Sequence, residues 1–374
     1  MSLVDPQLIT TTHLLALATC LIFSILLYKF SSPPLDPREP PVLRPKFPVI
    51  GHLLGLSRHG VAYFDLLRQS QGSSPVPAAT LPILNGKVYA LWDLSMIHSA
   101  MRNKNLTFDV LSMEFAQRVF GLSNHGMEKL WGGPEHDIEK SAAVPTMRAI
   151  KPAMQGANLL RMNMAALRYV SEILNSDDFA GQGLQVENLY KWLRHFMTMA
   201  TAFGIYGEGN PIKQDEKGLV DALWEFESNM QPLFLGVAPQ IVARKAYKAR
   251  EKVQKVLIPW YKARMDDAAD VSEIAKVRAN TAREFGFPAQ EVGRLEMALL
   301  FVGTTNTIPS LYLFLANVWL RPELKKEVRE EVRGIVSLTE KENGKRTATI
   351  KIQELEEKCP VLVSCYREAI RLGN

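Results

Sequence analysis

Four consecutive polar residues, Thr304–Thr307, bring three hydroxyls and one carboxamide into an otherwise apolar stretch. Pro309 follows two residues after them. A proline inside a helix lacks the N–H that would bond the carbonyl four residues earlier, so the carbonyl of Thr305 is left free to accept from a side chain or a water. Such a set of donors and acceptors could hold a small polar molecule.

The element that must position these groups is a long helix within Arg294–Val332, where apolar residues recur at helical spacing. No charged residue lies between Glu296 and Arg321, which predicts a helix buried nearly all round. A transmembrane helix is a second interpretation, although its polar centre would then lie at the bilayer midplane. A third is a core helix whose hydroxyls bond back to the preceding turn.

A second polar pair, Glu368 and Arg371, stands three residues apart near the end of the chain, so on a helix the two side chains share one face and can pair. Alone, this spacing is weak, because most helical proteins contain it. The pair lies about sixty residues after the polar-centred helix, and this order favours a functional role for the polar centre and for the pair. The three cysteines, Cys20, Cys359 and Cys365, form no disulfide framework and indicate a reducing compartment.

The composition indicates a folded protein that contacts a membrane. The chain has 374 residues, of which 47% are hydrophobic and 22% charged, enough for one large domain or two ordinary ones. A net charge of +5 suits an anionic membrane surface. No clustered basic stripe with a recognisable module is present, so we expect no nucleic-acid partner.

The N-terminal region reads as a membrane anchor and a spacer. Residues 6–28 carry no Asp, Glu, Lys or Arg, and Lys29 follows them, which predicts a signal anchor at 10–29, a lumenal 1–9 and a cytosolic body. A cleaved signal is the alternative. The segment 30–48 holds seven prolines and predicts a stiff hinge.

Further elements complete the outline. Ala79–Trp92, with Asn85–Gly86 at its centre, predicts a β-hairpin, and Asp93 predicts the N-cap of the next helix. Thr339–Arg346 predicts a polar loop. Gln240–Arg264 is strongly basic, which is typical of a solvated helix face and also suits apposition to a membrane.

The order of these features resembles that of the membrane-bound cytochrome P450 haem-thiolate enzymes. The anchor, proline-rich hinge, hairpin, polar-centred helix and Glu-x-x-Arg helix follow one another as in that family, over essentially the whole chain. Gly303–Val332 and Cys359–Leu372 carry the resemblance best. The run GTTNTIPS is most similar to the branch containing cholesterol 7α-hydroxylase and prostacyclin synthase, and to fungal relatives.

The resemblance implies roles for particular residues. In the family's central helix, a small residue, an acid and a threonine lie beside the haem, and here Gly303, Asn306 and Thr307 take those positions. Asn306 and Thr307 are thereby the predicted catalytic residues. Gly303, Thr304 and Arg148 are the predicted cofactor-binding residues.

The pair Glu368 and Arg371 matches the family's structural pair. Asn306 departs from the family pattern, because a carboxamide cannot relay a proton as a carboxylic acid does. This departure fits either a variant oxygen-activation relay or an isomerase that reduces no dioxygen.

A further departure concerns the iron ligand. The family ligand is a cysteine in a Phe-x-x-Gly-x-x-x-Cys-x-Gly loop beyond the Glu-x-x-Arg helix, and this sequence contains no such loop. Neither Cys359 nor Cys365 has the glycine frame, so we predict no metal ligand in the chain. The expectation is a truncated family member whose residues 49–374 form a partial catalytic domain.

The resemblance also implies the class of activity. We expect a mainly α fold with a small β-sheet region and an N-terminal transmembrane helix. The expected function is haem-dependent oxidation of a lipophilic substrate such as a sterol, terpenoid or fatty acid. An NADPH-dependent reductase at the endoplasmic reticulum membrane would supply electrons to the single-pass protein. A haem-thiolate isomerase or dehydratase, or a membrane-anchored helical fragment without activity, are the alternatives.

Overall fold

The computed structural model divides the chain into two compact units, Met1–Phe108 and Asp109–Asn374. Each unit is described by itself. The structure describes residues 6–31, 36–46, 51–83, 86–133, 137, 140–176, 185–340 and 346–373.

The first unit combines four helices with a two-stranded sheet. Apolar side chains from Leu14 to Ile25 on its first helix are exposed. The strands β1 and β2 form an antiparallel hairpin in which Ile83 faces Gly86, as predicted, while Leu84 and Asn85 of the turn lie outside the described residues. The elements are α1 Pro6–Ser31, α2 Leu53–His59, α3 Ala62–Gln69, β1 Ala78–Ile83, β2 Gly86–Leu91 and α4 Leu94–Arg102.

The proline-rich segment is partly fixed against β1. Val42 forms a parallel bridge to Thr80, and the Thr80 hydroxyl donates to the carbonyl of Pro40. The prediction for Asp93 is confirmed, because its carboxylate accepts the backbone N–H of Met96 at 3.0 Å and so caps α4.

The second unit is almost entirely helical, with one π-helix at Phe115–Val119 between α5 and α6. A short 3-10 turn, Gln231–Leu235, precedes α11. The helices are α5 Asp109–Glu114, α6 Asn124–Trp131, α7 Ala143–Ala153, α8 Gly156–Leu174, α9 Leu189–Tyr206, α10 Glu216–Asn229, α11 Pro239–Val242, α12 Arg244–Lys262, α13 Glu273–Glu284, α14 Ala289–Thr305, α15 Thr307–Trp319, α16 Pro322–Gly334, α17 Leu355–Lys358 and α18 Pro360–Gly373.

A second antiparallel hairpin interrupts the helices between α16 and α17. Its strands are β3 Val336–Glu340 and β4 Arg346–Ile350, with Glu340 facing Arg346. The prediction of a polar loop at Thr339–Arg346 was therefore wrong at both ends, where the chain is in strands. Residues 341–345 lie outside the described part.

The core of the second unit packs around α14. Its hydrophobic cluster joins α14 to α9, α10 and α12 and includes Met199, Trp224, Leu257 and Leu300, each at most 2% exposed. The predicted fold class, mainly α with small sheets, is confirmed. Among the described residues, Ala289–Trp319 is the one helical stretch long and apolar enough to cross a membrane, and a shorter apolar run, His13–Ile25, lies within α1.

Candidate functional site

The site is built where the long helix changes from α14 to α15. Asn306 joins the two halves with φ −93° and ψ −39°. The hydroxyls of Thr304 and Thr305 both donate to the carbonyl of Phe301, at 3.2 and 2.9 Å. The Ser310 hydroxyl donates to the carbonyl of Asn306 at 3.0 Å. Side-chain hydroxyls thus bond to backbone carbonyls on both sides of the break between α14 and α15, where Pro309 removes a helical hydrogen bond.

The prediction of a helix buried nearly all round was wrong for this stretch, because α15 is mostly half-buried and one face of the junction is open to solvent. Val302, Asn306 and Thr307 are exposed, whereas Thr304 and Ile308 are fully buried. Val302 and Asn306 are four residues apart and so share a helix face. We call Val302, Asn306 and Thr307 the open face. It presents one apolar group, one carboxamide and one hydroxyl to a ligand.

Glycines allow the neighbouring helices to approach closely. A Cβ at Gly303 would lie 3.3 Å from Cγ2 of Thr201 on α9, so this glycine faces a helix. A Cβ at Gly293 would lie only 2.6 Å from the Cα of Ile258 on α12. Close approach to backbone therefore requires a glycine at 293, whereas at 303 a small residue is favoured by the neighbouring side chain of Thr201.

Five phenylalanines, one from α14 and four from segments packed in the same core, form a cluster that we call the aromatic wall. The Phe301 ring of α14 lies 5.6–6.2 Å, centroid to centroid, from the rings of Phe115, Phe120 and Phe226. Phe234 packs edge-on against Phe115 at 5.2 Å. Phe120, Phe226 and Phe301 are buried, so this cluster is the part of the core that supports α14 next to the open face.

Two buried carboxylates near the start of α14 have structural partners. Glu296 is 0% exposed and accepts from Nε of Arg278 at 2.9 Å. Burial raises its pKa, although Arg278 opposes the change. Glu291 accepts from the backbone N–H of Ser123 and from Arg294, both at 2.8 Å. These contacts fix α14 to α13 and to the segment before α6.

The other predicted site residues lie apart from the open face or bond elsewhere. Thr304 also donates to the carbonyl of Leu300 at 2.8 Å, so its hydroxyl is engaged within the helix. Arg148 is exposed on α7. The roles predicted for Gly303, Thr304 and Arg148 toward a cofactor stay predictions.

The predicted pair on α18 is present as an exposed, bidentate salt bridge. Nε and Nη2 of Arg371 donate to the two carboxylate oxygens of Glu368 at 2.7 and 2.6 Å. α18 packs on α15, where the Tyr366 ring meets Phe314 edge-on at 6.2 Å. The Glu-x-x-Arg helix thus contacts the second half of the helix that carries the open face.

Sequence reasoning missed the carboxylate that anchors α18. Glu331 of α16 accepts the backbone N–H groups of Val361 and Leu362, both at 2.9 Å. A carboxylate at this position satisfies free amides and complements the positive end of the helix. The signal that could have located it is the acidic residue on the polar face of α16, but many such residues only contact water.

Cys359 and Cys365 lie in surroundings that favour the protonated thiol. Burial and the neighbouring Glu331 raise the pKa of Cys359 and of Cys365, and Cys20 is exposed on α1. Within the described part of the chain, no group of three or more His, Cys, Asp and Glu side chains could hold a metal ion.

Known proteins similar to this chain share one family. This chain is 32% identical over 371 residues to a cytochrome P450 monooxygenase of Gibberella zeae, and the match covers 99% of this chain and 67% of that protein. The chain belongs to the cytochrome P450 family. It is also 28% identical to the cytochrome P450 monooxygenase nodJ of Hypoxylon pulicicidum, over 97% of this chain and 68% of that one.

A solved structure supports the fold of this cytochrome P450. The cyanobacterial CYP120A1 with bound retinoic acid superposes with a TM-score of 0.58 at 17% identity, covering 90% of this chain and 70% of that one. No protein-family model matches the sequence. The resemblance derived from the sequence is confirmed, and with it a P450-type oxidoreductase that has haem as its cofactor and receives electrons from a redox partner.

The residues of this chain fit one side of a haem but not its axial ligand. The open face is a strip of helix without covering side chains, as contact with a flat cofactor requires. By contrast, the thiols of Cys359 and Cys365 are shifted toward the protonated form, whereas the family's iron ligand is a thiolate.

Proposed function

We propose that this cytochrome P450 contributes the substrate and oxygen side of a monooxygenase that acts on a lipophilic molecule such as a sterol, terpenoid or fatty acid. The observation that carries the proposal is the exposure of Asn306 and Thr307 directly beside the fully buried Thr304 and Ile308. A bound haem supplies the oxygen chemistry. The protein supplies position, exclusion of water and protons.

The mechanism assigns separate tasks to the residues around the open face. Val302 of the open face contacts the apolar body of the substrate, and the aromatic wall packs in the core behind it and holds α14 in place. The Thr307 hydroxyl can donate and accept, so it can hold a water or pass a proton at its Oγ1. The Asn306 carboxamide can orient that water but cannot release a proton to it, so the proton must come from solvent through the hydroxyl.

A second candidate function follows from Asn306. The non-titratable carboxamide of Asn306 beside Thr307 suits a haem-thiolate isomerase or dehydratase, which needs no delivery of protons to dioxygen and no reductase. The aromatic wall would serve the same purpose in either reaction. The two functions differ in whether turnover depends on a reductase.

The deciding experiment uses a chimera in which this chain is followed by the haem-ligand segment of the Gibberella zeae relative. With an NADPH-dependent reductase and isotopically labelled dioxygen, we expect label in an oxidised sterol, terpenoid or fatty acid. Asn306→Asp should keep or increase that incorporation, because it introduces an acid next to Thr307. Rearrangement of a lipid peroxide without reductase, combined with no incorporation in parent and variant, would establish the isomerase instead.

We also propose that the protein is a single-pass endoplasmic reticulum protein anchored by residues 10–29, with the body cytosolic and close to its reductase. The exposed apolar side chains of Leu14–Ile25 and the lysine after them support this orientation. In microsomes, added protease should digest the body and spare only the N-terminal segment. A protected body with an accessible N-terminus would contradict the topology.

A further inference from the structure

An open cavity of about 340 Å³ lies beside the aromatic wall, between the π-helix, the 3-10 turn before α11 and helix α12. Arg118 and Arg250 line it together with Leu233 and Leu235. No Asp or Glu is among the described residues that line it. The cavity therefore combines two cationic groups with an apolar surface.

The two guanidinium groups lie against glycines with left-handed backbone. A Cβ at Gly121, whose φ is +74°, would lie 2.9 Å from Cζ of Arg250. A Cβ at Gly236, whose φ is +66°, would lie 3.5 Å from Nε of Arg118. Any other residue at Gly121 would be strained and would displace the guanidinium of Arg250. The local backbone thus makes room for these charges beside the cavity.

The side chain of Arg250 is only 6% exposed. Burial of this charged group costs free energy, because the guanidinium loses its hydration. Its Nη1 donates to the carbonyl of Val119 at 3.1 Å, and its Nη2 is 3.5 Å from the half-exposed carboxylate of Glu251. Within the described part of the chain, its Nε has no hydrogen-bond partner. The charge is therefore only partly compensated by the protein.

Arg118 is more accessible than Arg250, with 39% of its side chain exposed. Its Nη1 donates to the carbonyl of Phe234 at 2.8 Å and is 3.6 Å from Glu114, whose side chain is 46% exposed. A guanidinium has five N–H donors in a planar fork that matches a carboxylate. The bond to Phe234 also fixes the backbone of a wall residue, so the cationic cavity and the aromatic wall are joined.

We propose that this cavity binds the carboxylate of an amphiphilic acid, with the guanidinium groups contacting the carboxylate and Leu233 and Leu235 contacting the apolar body. Binding of the acid does not require the monooxygenase activity. Its identification as a substrate does, and in that respect it rests on the proposed function. The proposal narrows the substrate class from lipophilic molecules in general to lipophilic acids.

The test measures binding to the full chain in phosphatidylcholine nanodiscs by ligand-observed NMR titration, without haem or reductase. The probes are hexanoate and hexanol, which differ in charge but have the same number of carbons. We expect hexanoate to bind at least about tenfold more tightly, because a charge-assisted bond to a guanidinium is worth that much. Equal affinities would overturn the proposal.

Matched variants separate a specific contact from general charge. Arg118→Gln should weaken hexanoate binding about tenfold and leave hexanol unchanged, and Arg118→Lys should restore much of the loss. Lys245→Gln removes the same charge from an exposed position of α12 outside the cavity and should change neither affinity. Equal effects of Arg118→Gln and Lys245→Gln would overturn the assignment.

A lipid head group is the other source of such an anion. Phosphatidic acid vesicles that displace bound hexanoate, where phosphatidylcholine vesicles do not, would show that the cavity takes a membrane lipid, and the assignment to a substrate acid would be wrong. If hexanoate binds as expected but the chimera oxidises nothing, the binding site stands and the proposed function fails.

Discussion

Glu296 and Asn306 lie on the same long helix, about three turns apart, and they are used in opposite ways. Glu296 is fully buried and paired with Arg278, whereas Asn306 is exposed. A charged group can stay in a core only when a partner compensates its desolvation. The exposed polar groups of Asn306 and Thr307 are therefore better candidates for chemistry than the buried carboxylate of Glu296, which is paired with Arg278.

The largest effect should come from breaking the buried pair. Arg278→Met leaves the Glu296 carboxylate buried without its partner, which should lower the free energy of unfolding by about 3–5 kcal/mol. Urea unfolding followed by far-UV circular dichroism measures the change. Arg371→Met, which breaks the exposed pair on α18, should have little effect in the same measurement. Equal losses in the two variants would show that burial does not distinguish the pairs.

On the open face, removal of one hydroxyl should affect turnover and not stability. Thr307→Val in the chimera should lower the rate of product formation about a hundredfold, because a positioned proton donor is lost. Thr305→Val is the matched control, since its hydroxyl is bonded to the carbonyl of Phe301. If both valine variants keep their rates and unfold at the parent's urea concentration, Thr307 takes no part in proton delivery.

Two glycines that differ in how closely another helix approaches them should differ in their effect on stability, by less than the two variants above. Gly293→Ala places a methyl group 2.6 Å from the Cα of Ile258, so overpacking should cost about 1–3 kcal/mol. Gly334→Ala, where a Cβ meets nothing within 4 Å, should instead raise stability by about 0.5–1 kcal/mol. The two thermal midpoints should move in opposite directions. A gain from Gly293→Ala would mean that α12 and α14 are less closely packed than described.

The smallest effect concerns pH. Burial raises the pKa of Glu296 above its ordinary value of 4.5, so its contribution to stability falls as pH rises through the raised value. Arg371 lowers the pKa of Glu368, whose stabilising contribution is present above 4.5 and is lost as pH falls through the lowered value. The two pKa values can be measured by following the side-chain carboxyl carbons by NMR as pH changes, with each signal assigned through its Glu→Gln variant. The pKa of Glu296 should lie above 4.5 and that of Glu368 below it. Titration of both on the same side of 4.5 would contradict the assigned environments.

Local patterns in the sequence predicted the local elements well. The apolar run around Thr304–Thr307 became α14 and α15, and Asp93 became a helix cap, because spacing and capping depend on neighbours in the chain. The strands β3 and β4 were missed. The described side chains of β3 are mostly exposed, so this hairpin lacks the alternation of buried and exposed residues that marks a half-buried strand.

The partners of buried groups could not be predicted from the sequence. Arg278 and Glu296 are ordinary charged residues in two different helices, and only their packing brings them together. The same holds for Arg250 and Gly121, whose contact depends on how α12 lies against the π-helix segment. The polar centre of the long helix was predictable because its residues are consecutive, whereas the aromatic wall draws on four separate segments.

The contact of Glu331 with the first amides of α18 has a consequence for the order of folding. Those amides have no acceptor in their own helix, so the N-terminus of α18 is satisfied by the protein only when α16 is already in place. About thirty residues separate the partners, and the β3–β4 hairpin shortens the path between them, so the entropy cost of closing this loop is modest. We expect α16, the hairpin and α18 to assemble early, as one local nucleus onto which α15 then docks.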